Sequence, residues 1–321
     1  MDTSAPPQDD VAHDYSPFLR IYKTGRVERL MGTDVTPASL DAKTKVRSKD
    51  VVFSPDHNLV SRLYVPDGVK PNQKLPVIVY YHGGGFCIET PFTLKYHEYV
   101  NTLSAQANAI AVSVDYRLAP EHPLPVGYDD SWAALQWIAS HSGGSGSEEW
   151  LNSHADFGRV ILAGDSAGAN IAHQMAIRNI EGKVFDEMSL GMVLIHPYFW
   201  GKEPIGGEPV EAERRKTVDG IWYFACPKTS GCDDPWINPV FDPNLEKLGC
   251  GRVLVVVAER DILKERGKEY YEALKKKTGW GGEVEFWEVK EEDHVFHLQK
   301  STCDNALSMN TKIVEFINGG K

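Results

Sequence analysis

Residues 159–176 read RVILAGDSAGANIAHQMA, and they restrict the fold more tightly than any other stretch. A β-branched, apolar run leads into Gly164-Asp165-Ser166-Ala167-Gly168, and a helical pattern follows at once. The pentapeptide is G-x-S-x-G, the sequence of a sharp strand-to-helix turn that lifts a serine hydroxyl above the carboxyl edge of a sheet. Such a turn strains its central residue, so the flanking positions must be small, and Gly164, Ala167 and Gly168 are. A strand feeding directly into a helix also points to a chain of alternating strands and helices.

The alternation runs through most of the sequence. Short apolar, β-branched runs at 77–81, 110–114, 160–163, 192–195, 253–258 and 284–289 predict strands. Helical patterns lie between them, notably YDDSWAALQWIASH and ERGKEYYEALKKK, and VVFSPDHNLVSRLYVP (51–66) reads as a hairpin. The fold class expected is α/β, with a mainly parallel central sheet flanked by helices. A chain of 321 residues, 42% apolar, can bury that sheet in one large domain. Two regions interrupt the pattern. Residues 1–45, and about 199–240 with Trp200, Trp222, Tyr223, Phe224 and Trp236 among Pro, Gly and polar residues, are expected to cover the sheet edge as an N-terminal cap segment and a cap insertion. Residues 46–321 then form the catalytic domain.

Charge and cysteine usage exclude several functions. Thirty-four Lys and Arg against 45 Asp and Glu give a net charge of −11, which argues against a nucleic-acid or anionic-membrane surface. The opening MDTSAPPQDDVAHDYSP lacks a charged region followed by an apolar one, and no apolar run is long enough to span a bilayer. The five cysteines, at positions 87, 226, 232, 250 and 303, have no C-x-x-C pairing, so reduced thiols and a cytoplasmic location are expected. SGGSGS (142–147) reads as a flexible loop, and with no Lys-Ser/Thr and no strand leading into it the argument for a phosphate loop is weak.

A serine hydroxyl needs a base, an acid to orient the base, and donors for the charge that develops on an attacked carbonyl. VIVYYHGGGFCIET (77–90) supplies the donors: Gly83, Gly84 and Gly85 leave the backbone bare where a strand ends. The N–H groups of Gly84, Gly85 and Ala167 are the expected oxyanion hole. His82 reads as a loop-stabilising hydrogen bonder. In the chain order serine, acid, histidine, only His294 and His297 of EEDHVFHLQK lie late enough to be the base. His294 is chosen because it stands at the loop end, and His297 is expected to pack against the next helix. Asp261, just past the strand in RVLVVVAERDILKERG, is the expected acid, with Glu259 as second choice and Asp293 as a solvated loop charge. His294 and His297 have no third ligand nearby, so no metal is expected, and the chemistry calls for no organic cofactor.

HGGGF (82–86), DYRLAPEHPLP (115–125), GDSAGANIAH (164–173), AERDILKERG (258–267) and EDHVFHL (292–298) together resemble the plant carboxylesterases of the hormone-sensitive-lipase-like branch of the α/β-hydrolases, over nearly the whole chain. The resemblance implies Ser166 as nucleophile, Asp261 as acid, His294 as base and a small-molecule ester as substrate. Relatives of this fold also include 2-hydroxyisoflavanone dehydratases, which eliminate water, and gibberellin receptors, whose catalytic histidine is replaced by an apolar residue. Retention of His294 and Ser166 puts ester hydrolysis first, the lyase second and the receptor last. DYRLAPEHPLP is expected to be structural, with Asp115, Arg117, Glu121 and His122 in buried or loop pairs, and Asp165 to be a loop hydrogen bonder.

Overall fold

The structure, a computed structural model, describes residues 10–276 and 279–319. Residues 1–9 of the expected cap segment, Lys277 of the expected ERGKEYYEALKKK helix and residues 320–321 lie outside the described residues. Three short strands, β1 (Val11–Tyr15), β2 (Leu19–Tyr22) and β3 (Val27–Arg29), form a small antiparallel sheet of their own. The main sheet has eight strands: β4 (Val46–Ser54), β5 (Leu59–Pro66), β6 (Leu75–Tyr81), β7 (Ile110–Asp115), β8 (Ala155–Asp165), β9 (Leu190–Ile195), β10 (Arg252–Ala258) and β11 (Glu283–Val289). Their order is β11-β10-β9-β8-β6-β7-β5-β4. The six strands from β11 to β7 run parallel, and β5 and β4 add an antiparallel hairpin at one edge.

The apolar runs become strands because both faces of the sheet are covered. All seven residues of β6 are buried. Val77, Val79 and Tyr81 face one side, where α2 (Val126–Ala139), α4 (Ala167–Gly182) and α6 (Lys264–Lys276) pack. Ile78 and Tyr80 face the other, against α1 (Leu94–Ala107) and α8 (Asp304–Ile317). Complete burial of each Val or Ile stabilises the fold by about 1.5–3 kcal/mol, so the sheet is a rigid frame for the loops at its edge. Two further short helices, α3 (Glu149–His154) and α7 (Phe296–Gln299), and α5 (Ala212–Ala225) complete the α-helices among the described residues.

All six expected parallel strands and the hairpin are present. β8 starts five residues before the run at 160, because Leu75 and Pro76 pair with Ala155 and Asp156 before the register slips to Val77 opposite Val160. The slip takes up Phe157, Gly158 and Arg159, two of them exposed, which is why no apolar alternation marks that stretch.

The strand order places the site. From β6 the chain crosses to β7 on one side, then returns to β8 on the other and continues to β9. The carboxyl ends of β6 and β8, level at the Tyr81–Gly164 pair, therefore flank a crevice where the winding reverses. In open α/β sheets such a switch point is where a ligand binds.

Candidate active site

Ser166 stands between β8 and α4 with φ 53° and ψ −119°, a conformation costly for a residue with a side chain. Its amide is tied to the Ile195 carbonyl at 2.9 Å, and its carbonyl accepts the Tyr198 N–H at 2.9 Å, so the strain is held by the end of β9 and the residues that follow it. The hydroxyl lies 2.9 Å from His294 Nε2. His294 follows β11, and its Nδ1 lies 2.6 Å from Asp261 Oδ2. Asp261 follows β10, and its other oxygen accepts the Leu263 N–H at 2.9 Å. Three residues from three strand ends thus form one hydrogen-bonded line. The Asp261 side chain is 1% exposed and that of His294 33%, so the carboxylate is sealed and the imidazole faces the crevice.

The electrostatics follow from that burial. Burial pushes His294 down, but the Asp261 carboxylate outweighs it through charge and hydrogen bond, with help from Asp165, and the imidazole titrates above its ordinary value. Burial would raise Asp261, yet the His294 ring holds it below the usual carboxylate range. An ionised acid against a basic imidazole fixes the proton on Nδ1 and leaves Nε2 to accept from Ser166.

On the β6 side, the Gly83 N–H donates to the Tyr96 hydroxyl at 2.8 Å, and that hydroxyl donates to Asp165 at 2.8 Å. Tyr80 donates to the other Asp165 oxygen at 2.7 Å. Asp165 is thus a buried loop hydrogen bonder, pushed up to about 6 by burial against the two tyrosine hydroxyls. With Gly83 engaged, the Gly84 and Gly85 N–H groups have no hydrogen-bond acceptor among the described residues. Gly84 has φ 103°, and a Cβ there would overlap the Ile88 carbonyl oxygen, so only glycine fits. Ala167 opens α4, and its N–H belongs to the first turn, which lacks intrahelical acceptors.

The remaining candidates sort by position. His82 is buried, pulled down to about 4 by burial, stacked on Tyr116 at 4.3 Å, with Nδ1 2.8 Å from the Gly83 carbonyl oxygen. His297 is buried and makes an edge-on contact with Tyr99 of α1 at 4.8 Å. Glu259 turns away to Lys290 at 3.2 Å and accepts the Glu291 N–H at 2.9 Å, and Asp293 is exposed. Arg117 grips Asp130 at 2.7 and 2.8 Å, and Glu121 pairs with Arg29.

Sequence reasoning missed His196. It is buried just past β9 with φ 47°, and its Nδ1 accepts the N–H of Val295, the residue after His294, at 2.9 Å. Its place at the carboxyl end of a parallel strand was the available signal. His196, Asp261 and His294 bring ligand atoms within 4.8 Å of one another. His294 is engaged at both nitrogens by Asp261 and Ser166, and His196 accepts the Val295 N–H at Nδ1, which places its proton on Nε2, so neither ring offers a free lone pair to a cation.

A cavity of about 290 Å³ opens above Ser166. Its walls are mostly apolar: Tyr15, Phe18 and Met31 from the N-terminal segment, Tyr198, Ile221 and Phe224 from the stretch around α5, Ile262 next to Asp261, and Leu298 of α7. Glu89, paired with Lys95 at 2.6 Å, is its main charged feature.

A doubly wound sheet that carries such a serine at its switch point is an α/β-hydrolase fold. Comparison with known proteins agrees: the alpha/beta hydrolase fold family matches residues 78–298. Probable carboxylesterase 7 of Arabidopsis thaliana is 49% identical over 311 residues, covering 96% of this chain and 98% of that protein. Tuliposide A-converting enzyme 2, chloroplastic, of Tulipa gesneriana is 46% identical over 314 residues, covering 97% and 80%. Among solved structures, the Pyrobaculum calidifontis esterase is 27% identical with a TM-score of 0.70, covering 85% of each chain. The chain belongs to the α/β-hydrolase fold family and, within it, to the group of plant carboxylesterases. Among the described residues no helix is long and apolar enough to cross a membrane.

Proposed function

We propose that this protein is a serine carboxylesterase that hydrolyses esters of small, short-acyl or aromatic metabolites through an acyl-enzyme. The observation that carries the reading is the unbroken line from Ser166 Oγ through His294 to Asp261, at 2.9 and 2.6 Å. Ser166 attacks the ester carbonyl while His294 Nε2 takes its proton. Asp261 stabilises the imidazolium, and the N–H groups of Gly84, Gly85 and Ala167 hold the oxyanion. Collapse of the tetrahedral intermediate breaks the bond to the alkoxy group, which leaves with the proton from His294. Water then enters through the same base and releases the acid. Each step uses only this chain's groups and water.

Residues 1–45 and 199–240 act as the cap. Support comes from the cavity wall, where Phe18 and Met31 belong to the first segment and Ile221 and Phe224 to the second. An apolar pocket of that size favours compact acyl and aromatic groups over long chains. All five cysteines are free and four are buried, which supports the reducing cytoplasm as its location.

The test is a panel of activated esters of increasing acyl length and of aromatic alcohols, run beside a 2-hydroxyisoflavanone. Short and aromatic esters should be hydrolysed fastest, with kcat/KM falling for long chains. Dehydration of the isoflavanone with no ester hydrolysed would replace this reading by a lyase.

A further inference from the structure

The loop that carries Gly84 and Gly85 is conformationally costly. Gly84, Gly85, Phe86 and Glu89 have φ of 103°, 60°, 64° and 73°, and two of the four bear side chains. Backbone of this kind persists only where its surroundings over-determine it. Inside the loop, the Gly84 carbonyl accepts from Cys87 and Ile88 at 3.0 and 3.1 Å. Outside it, the Phe86 carbonyl accepts the Ala119 N–H at 2.9 Å. The Gly83 N–H is held by Tyr96 and the Glu89 side chain by Lys95, and a further fastening comes from the N-terminal segment. Arg29, the last residue of β3, donates through Nε to the Cys87 carbonyl at 2.7 Å, and among the described residues no other hydrogen-bond donor reaches that oxygen. The same guanidinium donates to the Ala119 carbonyl at 3.2 Å and takes both oxygens of Glu121 at 2.8 and 2.7 Å.

These contacts close a ring. Arg29 holds Cys87, Phe86 is held by Ala119, and Ala119 and Glu121 hold Arg29. A planar guanidinium with five donors fits this arrangement, and an ammonium cannot fill it. The Glu121 side chain is 44% exposed, so the ion pair contributes little by its charge alone. Its effect is to aim the remaining donor, Nε, at the loop.

We propose that Arg29 is a positioning residue for the oxyanion hole, with Glu121 as its counter-anchor. Docking of the N-terminal segment then does two things at once: it walls the pocket, and it sets the Gly84 and Gly85 N–H groups. The inference rests on the esterase reading above, and it gives the Glu121 of DYRLAPEHPLP a task beyond loop pairing.

The experiment compares wild type with Arg29→Met, Arg29→Lys and Glu121→Gln. It uses an activated short-chain ester, and a trifluoromethyl ketone whose carbonyl forms a hemiketal oxyanion on Ser166. Misplacing donors by a fraction of an ångström to one ångström should lower kcat by about 10-fold to 100-fold in Arg29→Met, with KM within about threefold of wild type. Affinity for the ketone should fall by the same factor as kcat/KM. Arg29→Lys and Glu121→Gln should be intermediate, since each keeps part of the ring. Arg29→Met with wild-type kcat and ketone affinity, or with a loss confined to KM, overturns the proposal and leaves the segment a pocket wall. If Arg29→Met does not fold, the other two variants decide on the same readouts, and unchanged kcat in both overturns it. A wild type that neither hydrolyses esters nor binds the ketone at Ser166 refutes the esterase reading itself, and the role of Arg29 falls with it.

Discussion

Asn in place of Asp261 would change one atom of a buried side chain and reverse the polarity of the site. Asp261 Oδ2 lies 2.6 Å from His294 Nδ1, and Oδ1 accepts the Leu263 N–H. Asparagine keeps the second bond through its carbonyl oxygen, so the loop after β10 should stay in place. Its amide NH₂ then faces Nδ1, which must become the acceptor. The imidazole proton moves to Nε2 and points at Ser166, and the ring can no longer take the serine proton. The expected loss in kcat is about 10⁴-fold, equivalent to roughly 5.5 kcal/mol in the barrier. The pH profile adds a second readout. In the wild type, kcat/KM should rise as His294 loses its proton, with an apparent pKa above 6.5, because Asp261 raises it against burial. In Asp261→Asn the main raising charge and its hydrogen bond are gone, and only Asp165 is left to oppose burial, so the residual activity should titrate lower than in the wild type. Steady-state hydrolysis from pH 5 to 9 measures both. Activity within tenfold of wild type, or an unshifted midpoint, would refute the assignment of the acid. Glu259→Gln serves as the control and should leave turnover within about twofold, since Glu259 serves Lys290 and the Glu291 amide.

Gly84→Ala should lower kcat by about 10²-fold to 10³-fold with little change in KM, since its Cβ displaces the loop against the Ile88 carbonyl and moves a donor needed in the transition state; unaltered kcat in a folded variant would remove Gly84 from the hole. Acid should destabilise the fold below pH 6.5 because the buried histidines outnumber the groups that work the other way, Asp115 and Asp165, which burial pushes up to about 7 and about 6. His82 is held near 4 and His173 and His297 near 3 by burial, with His196 also far below its ordinary value, whereas an unfolded chain protonates them near 6.5. The unfolded state therefore binds more protons below pH 6.5, and each of these histidines should remove about 1.4 kcal/mol of stability per pH unit down to its folded pKa. His294 works in the opposite sense, its contribution present below 6.5 and lost above its raised value. Urea midpoints at pH 7 and pH 5 measure the balance, and an equal or higher midpoint at pH 5 would contradict it.

The sheet was legible because its strands are buried on both faces and so appear as unbroken apolar runs, as in LPVIVYY. Ser166, Asp261 and His294 were legible because each follows such a run within a few residues, and the motif around Ser166 is local. The parts that escaped have no local signature. β1 to β3 are three to five residues long and partly exposed, too short for a period to show. α5 reads AERRKTVDGIWYFA, with charges at one end and only Arg215, Trp222 and Ala225 buried, so no apolar stripe announces a helix. The fastening of the Gly84–Gly85 loop includes the pair of Arg29 with Glu121 across 92 residues, and the tie from His196 to Val295 spans 99. Such contacts are set by the strand order, which brings distant loops to one edge, and no spacing in the sequence encodes them.

The central claim is that Ser166 carries the acyl group, and rapid-quench kinetics with mass spectrometry tests it directly. With an activated short-chain ester, release of the alcohol should show a burst approaching one equivalent of enzyme. The quenched protein should carry the acyl mass on the peptide containing Ser166, and Ser166→Ala should show neither. A folded wild type that turns the ester over with no acyl group on Ser166, or a Ser166→Ala variant that keeps near wild-type turnover, would contradict the account.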